Sequence, residues 1–161
     1  GAMLYFPNDK IQHAGVIMGL GGLAGHAHYD LDRGTPGYLG RAALRQSYSA
    51  VTGACLITRA EVYKKVGGLD EEKFAVAYND IDYCLRAKDL GYRVVWTPFS
   101  ELYHHESATR GYEDNLEKLE RFSSEQRAMS DRWSGYLAYD PAYNPNLSLS
   151  NGRFEYSFPP R

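Results

Sequence analysis

Residues 77–96 read AYNDIDYCLRAKDLGYRVVW, and the way this stretch divides sets the fold class. On a helical wheel with Asp80 at 0°, Cys84 falls at about 40°, Ala87 at about 340° and Ile81 at about 100°. Asp82, Arg86 and Asp89 gather on a polar face between about 180° and 240°. The pattern predicts a helix over Asn79–Leu90, with Asn79 as its N-cap and Gly91 as its stop. The following YRVVWTP predicts a strand that Pro98 ends. A helix feeding a β-branched strand makes the chain mixed α/β.

Working upstream, YSAVTGACLIT (residues 48–58) reads as a buried strand. Its single glycine, Gly53, marks the close approach of a ligand or of another backbone. A helix over Arg59–Val66 follows and stops at Gly67-Gly68. Near the start, Leu4-Tyr5-Phe6, Pro7-Asn8-Asp9 and Lys10–His13 predict strand, turn and strand, with Ala14–Met18 extending the second strand. The glycine-rich stretch over residues 19–37 is expected outside the core, as a mobile substrate loop or a plain connector. Pro36 then opens a short helix running to about Arg45.

Downstream, ELYHHE (residues 101–106) reads as a short strand whose alternation sends His104 and His105 to opposite sides. Leu116, Leu119, Phe122, Met129 and Trp133 recur at helical spacing, predicting a long amphipathic helix over Glu113–Trp133. Residues 136–161 carry four prolines and read as an extended wrap or a partly disordered tail. Gly1-Ala2-Met3 resembles a cloning scar, which leaves residues 4–135 as the domain. A domain that opens in mid-strand suggests a piece of a longer protein.

Composition narrows the function. A net charge of -2 argues against a nucleic-acid partner, which calls for a basic patch. No apolar run approaches the roughly 18 residues of a membrane span. Two cysteines are too few for a disulfide scaffold and suit reduced thiols in a cytoplasmic protein. Fourteen tyrosines and two tryptophans suit a sugar or another amphipathic ligand, or simply aromatic packing.

Three clusters can carry chemistry. Asp82, three residues past Asn79 and four before Arg86, reads as helix-start and surface ion-pair chemistry. Asp80 points toward the apolar side in the first turn, where a carboxylate acts either as a second capping acid or as a general base. In His104-His105-Glu106, at most one histidine can be a metal ligand; a purely structural histidine is the other reading. HAHYDLD (residues 26–32) offers His26, His28, Asp30 and Asp32, but lacks the glutamate and glycine spacing of a small metal-binding barrel.

Taken in order, TGACLITR, GGLDE, NDIDYCLR, GYRVVW and LYHHES, with the ending DPAYNPNLSL, resemble the C-terminal half of a bacterial family 2 glycosyltransferase of GT-A fold. The likeness covers most of residues 4–149, and is nearest to rhamnosyltransferase-like enzymes of O-antigen and surface-polysaccharide assembly. It implies a mixed sheet with flanking helices, and an inverting transfer from a nucleotide-sugar donor to a glycan or lipid-linked glycan acceptor. It implies Asp80 as the catalytic base and His104 as a ligand of a divalent metal, Mg2+ or Mn2+. Gly53 and Ala54 match the segment beneath the sugar, and Ser107 and Arg110 are candidates for contacting the diphosphate. Asn79 stands where many relatives carry an acid.

The family's N-terminal half, with its DxD metal motif, has no counterpart here. Asp30-Leu31-Asp32 lies in the wrong place, so the nucleotide pocket is expected to be incomplete. QRAMSDRW lacks the spacing of the QxxRW motif of processive members. The resemblance also implies a cytoplasmic site at the inner membrane face, and exposed sheet edges invite homo-oligomers. The rival reading is a non-catalytic carbohydrate-binding or protein-interaction module.

Overall fold

The structure, a computed structural model, describes residues 1–105 and 115–161. Six strands and three α-helices occur among the described residues: β1 (Ala2–Tyr5), β2 (Ile11–His13), β3 (Val16–Met18), β4 (Ala24–His26), β5 (Gln46–Tyr48), α1 (Ala60–Val66), α2 (Asn79–Asp89), β6 (Val94–Tyr103) and α3 (Leu116–Ala138). Four strands form a mixed sheet in the order β2-β1-β6-β5. β1 runs antiparallel to β2 and parallel to β6, while β5 runs antiparallel to β6. β3 and β4 make a separate antiparallel pair. The expected mixed α/β sheet with flanking helices is therefore present.

The sheet is centred on β1, whose four residues are all buried. Ala2 and Met3, read from sequence as a scar, are two of them, each with 3% of its surface exposed. β6 continues through Pro98 rather than ending there. Ala2 pairs with Thr97 and Met3 with Glu101, so residues 98–100 bulge out of the ladder and Pro98 has no bond to supply. Trp96, fully buried, donates its indole N–H to the carbonyl of Ala2 at 2.9 Å and pins the centre of the sheet.

Several expected elements are rearranged, each for a local reason. Gly15, at a φ of 105°, breaks the predicted continuation from β2 into β3. The glycine-rich segment is not a free loop: it folds back as the β3–β4 hairpin and buries Ala27 and His28 completely. The helix expected from Pro36 shrinks to one 3-10 turn at Tyr38–Gly40. YSAVTGACLIT is a strand only at its start, because Gly53–Cys55 forms a 3-10 turn.

α1 matches its expected span and ends on Gly67, whose N–H caps the carbonyls of Tyr63 and Lys64. α2 carries Asp80 and Asp82 in its first turn and Arg86 and Lys88 in its last, opposite in sign to the two ends of the helix dipole. Asn79 is its first residue rather than its cap; the cap position belongs to Tyr78, in the left-handed region at a φ of 63°. α3 starts on Asn115, whose side chain accepts the Lys118 N–H at 3.0 Å, and buries Glu125, Met129 and Trp133. The tail beyond α3 is ordered against the body and sends Tyr143, Leu147 and Phe154 into the core. Asp140, with 1% of its surface exposed, fastens it by accepting the N–H of Met18 and the hydroxyl of Ser49.

Candidate functional site

Asp80 opens α2 beside the 3-10 turn at Gly53–Cys55. One carboxylate oxygen accepts the Gly53 N–H at 2.6 Å, and the other accepts the Ile81 N–H at 2.8 Å. Gly53 gives this approach its room: a Cβ there would lie 3.2 Å from the Cβ of Asp80 and 3.4 Å from its Oδ2. The close approach expected at Gly53 is thus made by a carboxylate. Two N–H donors hold Asp80 in one orientation while it lines a cleft of about 800 Å³.

The same cleft is lined by Gly53, Ala54 and His104, so four of the six residues singled out from sequence come together. The other two, Ser107 and Arg110, lie outside the described residues. β6 ends at Tyr103, so strand alternation does not reach the histidines, and His104 and His105 both line the cleft. The His104 ring is set by Gln12. The Gln12 side-chain oxygen takes the Nδ1–H at 2.8 Å, and its amide nitrogen donates to the His104 carbonyl at 3.4 Å. That bond leaves Nε2 as the acceptor nitrogen of the ring, the arrangement found where a histidine ligates a metal. Among the described residues, no group of three His, Cys, Asp or Glu side chains gathers as a metal site. Among the described residues His104 can therefore supply one ligand of a metal, not a set.

Sequence reading missed the imidazole pair on the floor of the cleft. His13 accepts the Thr52 N–H on Nε2 at 3.4 Å, which puts its proton on Nδ1, 2.9 Å from Nδ1 of His26. Burial, and then the neighbouring His26, push His13 well below the usual histidine range, so it is neutral at pH 7. The available signal was a histidine inside the strand-like IQHAG, where an apolar residue would be usual. The four donors of HAHYDLD separate: His26 lines the cleft, His28 is buried against Phe154, and Asp30 and Asp32 pair with Lys10.

Asp82 has the partner expected of it but not the setting. It is wholly buried, with one oxygen accepting Arg86 Nε at 2.7 Å and the other accepting Arg132 at 2.8 Å and the Trp133 indole at 3.0 Å. α3 covers the Asp82 end of the face that the helical wheel left polar, while Asp89 stays exposed. Cys84 is a buried free thiol, pushed up to about 12 by burial, whereas Cys55 is only partly buried.

With this geometry in place, relatives of the chain add a functional direction. Over 159 residues (99% of this chain) it is 53% identical to "Uncharacterized protein y4gI" of Sinorhizobium fredii. Over 161 residues (93% of this chain) it is 38% identical to "O-antigen biosynthesis protein RfbC" of Myxococcus xanthus. An 86-residue part, 53% of the chain, is 29% identical to an N-acetylglucosaminyl-diphospho-decaprenol L-rhamnosyltransferase of Mycobacterium tuberculosis. The chain spans 18%, 12% and 28% of the lengths of these three relatives. No family model and no solved structure matches. The named relatives point toward glycosyltransferase-related chemistry. No described helix is long and apolar enough to cross a membrane.

Proposed function

We propose that the chain is the acceptor-side half of a GT-A glycosyltransferase of family 2 that inverts configuration, uses a divalent metal and works at the cytoplasmic face of the membrane. Its parent moves a sugar from a nucleotide donor to a glycan or lipid-linked glycan. The observation that carries this reading is the Asp80 carboxylate, held by two N–H groups in a cleft that His104 also lines. The names of two relatives, O-antigen biosynthesis protein and rhamnosyltransferase, support the same direction.

In this reading Asp80 takes the proton of the acceptor hydroxyl as that oxygen attacks the anomeric carbon. The bond from that carbon to the diphosphate breaks, and its electron pair leaves with the nucleoside diphosphate. Gly53 and Ile81 aim the carboxylate, and Gln12 holds the His104 tautomer that can bind a metal. When bound, a divalent ion neutralises charge on the leaving diphosphate.

The test uses the full-length protein, a nucleotide-sugar donor and Mn2+. Asp80→Asn is expected to lower turnover by about 10²–10⁴-fold, the usual worth of a general base, while donor binding changes little. Near wild-type turnover in this variant overturns the assignment. Glycan binding with no response to nucleotide or metal would instead make the protein a carbohydrate-binding module.

A further inference from the structure

A second groove, of about 620 Å³, opens next to the cleft, and His26 and Tyr29 line both. Its far wall is the tail segment Ser150, Asn151 and Arg153. Gly152 lets that wall form. A Cβ there would lie 2.2 Å from the His26 carbonyl oxygen, and the Gly152 carbonyl accepts the His28 N–H at 2.7 Å. The groove is thus built by pressing the tail onto β4, and its volume falls within the range of about 300–1,000 Å³ usual for ligand sites.

We propose that this groove is a subsite for the second sugar of a neutral oligosaccharide acceptor whose terminal sugar sits beside Asp80. The inference rests on the transferase reading for what happens at Asp80, and on the groove itself for what binds beyond it. Tyr29 supplies the platform. Tyr29 is 47% exposed, lies at right angles to Phe6 with ring centroids 5.6 Å apart, and lines both spaces at their junction. Aromatic faces beside a few polar groups suit the mixed apolar and hydroxyl surface of a pyranose.

Charge selects against a phosphate here. Asp30 faces Arg153 at 3.7 Å and Lys10 at 3.9 Å, and Lys10 also meets Asp32 at 3.2 Å. Among the described residues two carboxylates thus balance two cations, leaving no excess positive charge there for an anion. Ser150 and Asn151 add neutral hydrogen-bonding groups to the wall.

The experiment measures binding without donor, by calorimetry on the full-length protein. The probes are methyl glycosides, disaccharides and trisaccharides of rhamnose and N-acetylglucosamine. In at least one series the disaccharide is expected to bind about 10-fold or more tightly than its methyl glycoside. Ser150→Trp, which fills the groove, should erase that advantage. Tyr29→Ala, at a half-exposed position that tolerates truncation, should reduce it and serves if the first variant fails to fold. Equal affinity at all lengths, no saccharide binding, or an advantage untouched in folded variants would overturn the subsite. Repeating the series in Asp80→Asn separates the two readings. A kept length advantage with wild-type turnover removes the base and spares the subsite, whereas lost turnover without a length advantage does the reverse.

Discussion

The position of Asp80 depends on a residue with no side chain. Because a Cβ at Gly53 would press on the carboxylate at 3.2–3.4 Å, Gly53→Ala must push the turn away by a few tenths of an ångström and stretch the 2.6 Å bond. Crowding of this kind costs about 1–3 kcal/mol, but misplacing a catalytic group costs far more in rate. The full-length Gly53→Ala variant should melt only a few degrees lower while losing about 10-fold or more in turnover. Thermal melts and steady-state kinetics on the same preparation check this, and unchanged turnover would deny Gly53 a positioning role. At this scale the ordered family motifs, more than the residues taken singly, marked Asp80, Gly53 and His104, since a first-turn acid and a histidine pair alone left structural readings open. Gln12 and His13 were not legible, and His26 was only one of four donors in HAHYDLD, because their roles depend on contacts across separate strands.

Between elements, Asp82 joins three helices. Arg86, besides holding Asp82, donates to the carbonyls of Val66 and Gly68 at 2.7 and 2.8 Å, closing the end of α1. Arg132 of α3 bridges Asp82 and Asp70, both at 2.8 Å. Glu125 of α3 accepts the N–H groups of Val76 and Ala77, fixing the loop that holds Tyr78 in its left-handed conformation next to the cleft. Removing this wholly buried anion takes from Arg86 its carboxylate partner and from Arg132 one of two, and breaking a buried pair costs about 3–5 kcal/mol. Asp82→Ala should therefore lower stability in urea by roughly that amount, whereas a loss below about 1 kcal/mol would mean the pair behaves as a solvated surface bridge. The helical wheel placed Asp82 and Arg86 together correctly. It put that face in water because one helix's periodicity says nothing about the neighbour that covers it. The same limit explains the glycine-rich segment: its sequence reads as a mobile substrate loop or a connector, and contacts with the tail help bury Ala27 and His28 within it.

Over the whole molecule, the tail closes the fold around a histidine that cannot ionise cheaply. His28 is fully buried, stacks on Phe154 at 4.5 Å, and among the described residues neither ring nitrogen has a hydrogen-bond partner. Burial, and then the nearby Arg41 guanidinium, lower it from the ordinary 6.5 to about 4. His13 is displaced in the same direction, by burial and by His26. A lowered histidine makes the unfolded chain the better proton binder at mildly acid pH. The stability that comes from keeping His28 neutral is therefore complete above about pH 6.5 and is lost as pH falls toward 4, by at most roughly 3 kcal/mol. His28→Phe keeps a ring on Phe154 but has nothing to titrate. Denaturation midpoints taken from pH 7 to pH 4.5 should fall less steeply in this variant than in the wild type, whatever its stability at pH 7. Identical slopes would show that His28 does not couple the tail to pH, and would leave His13 and ordinary carboxylate protonation to account for acid sensitivity.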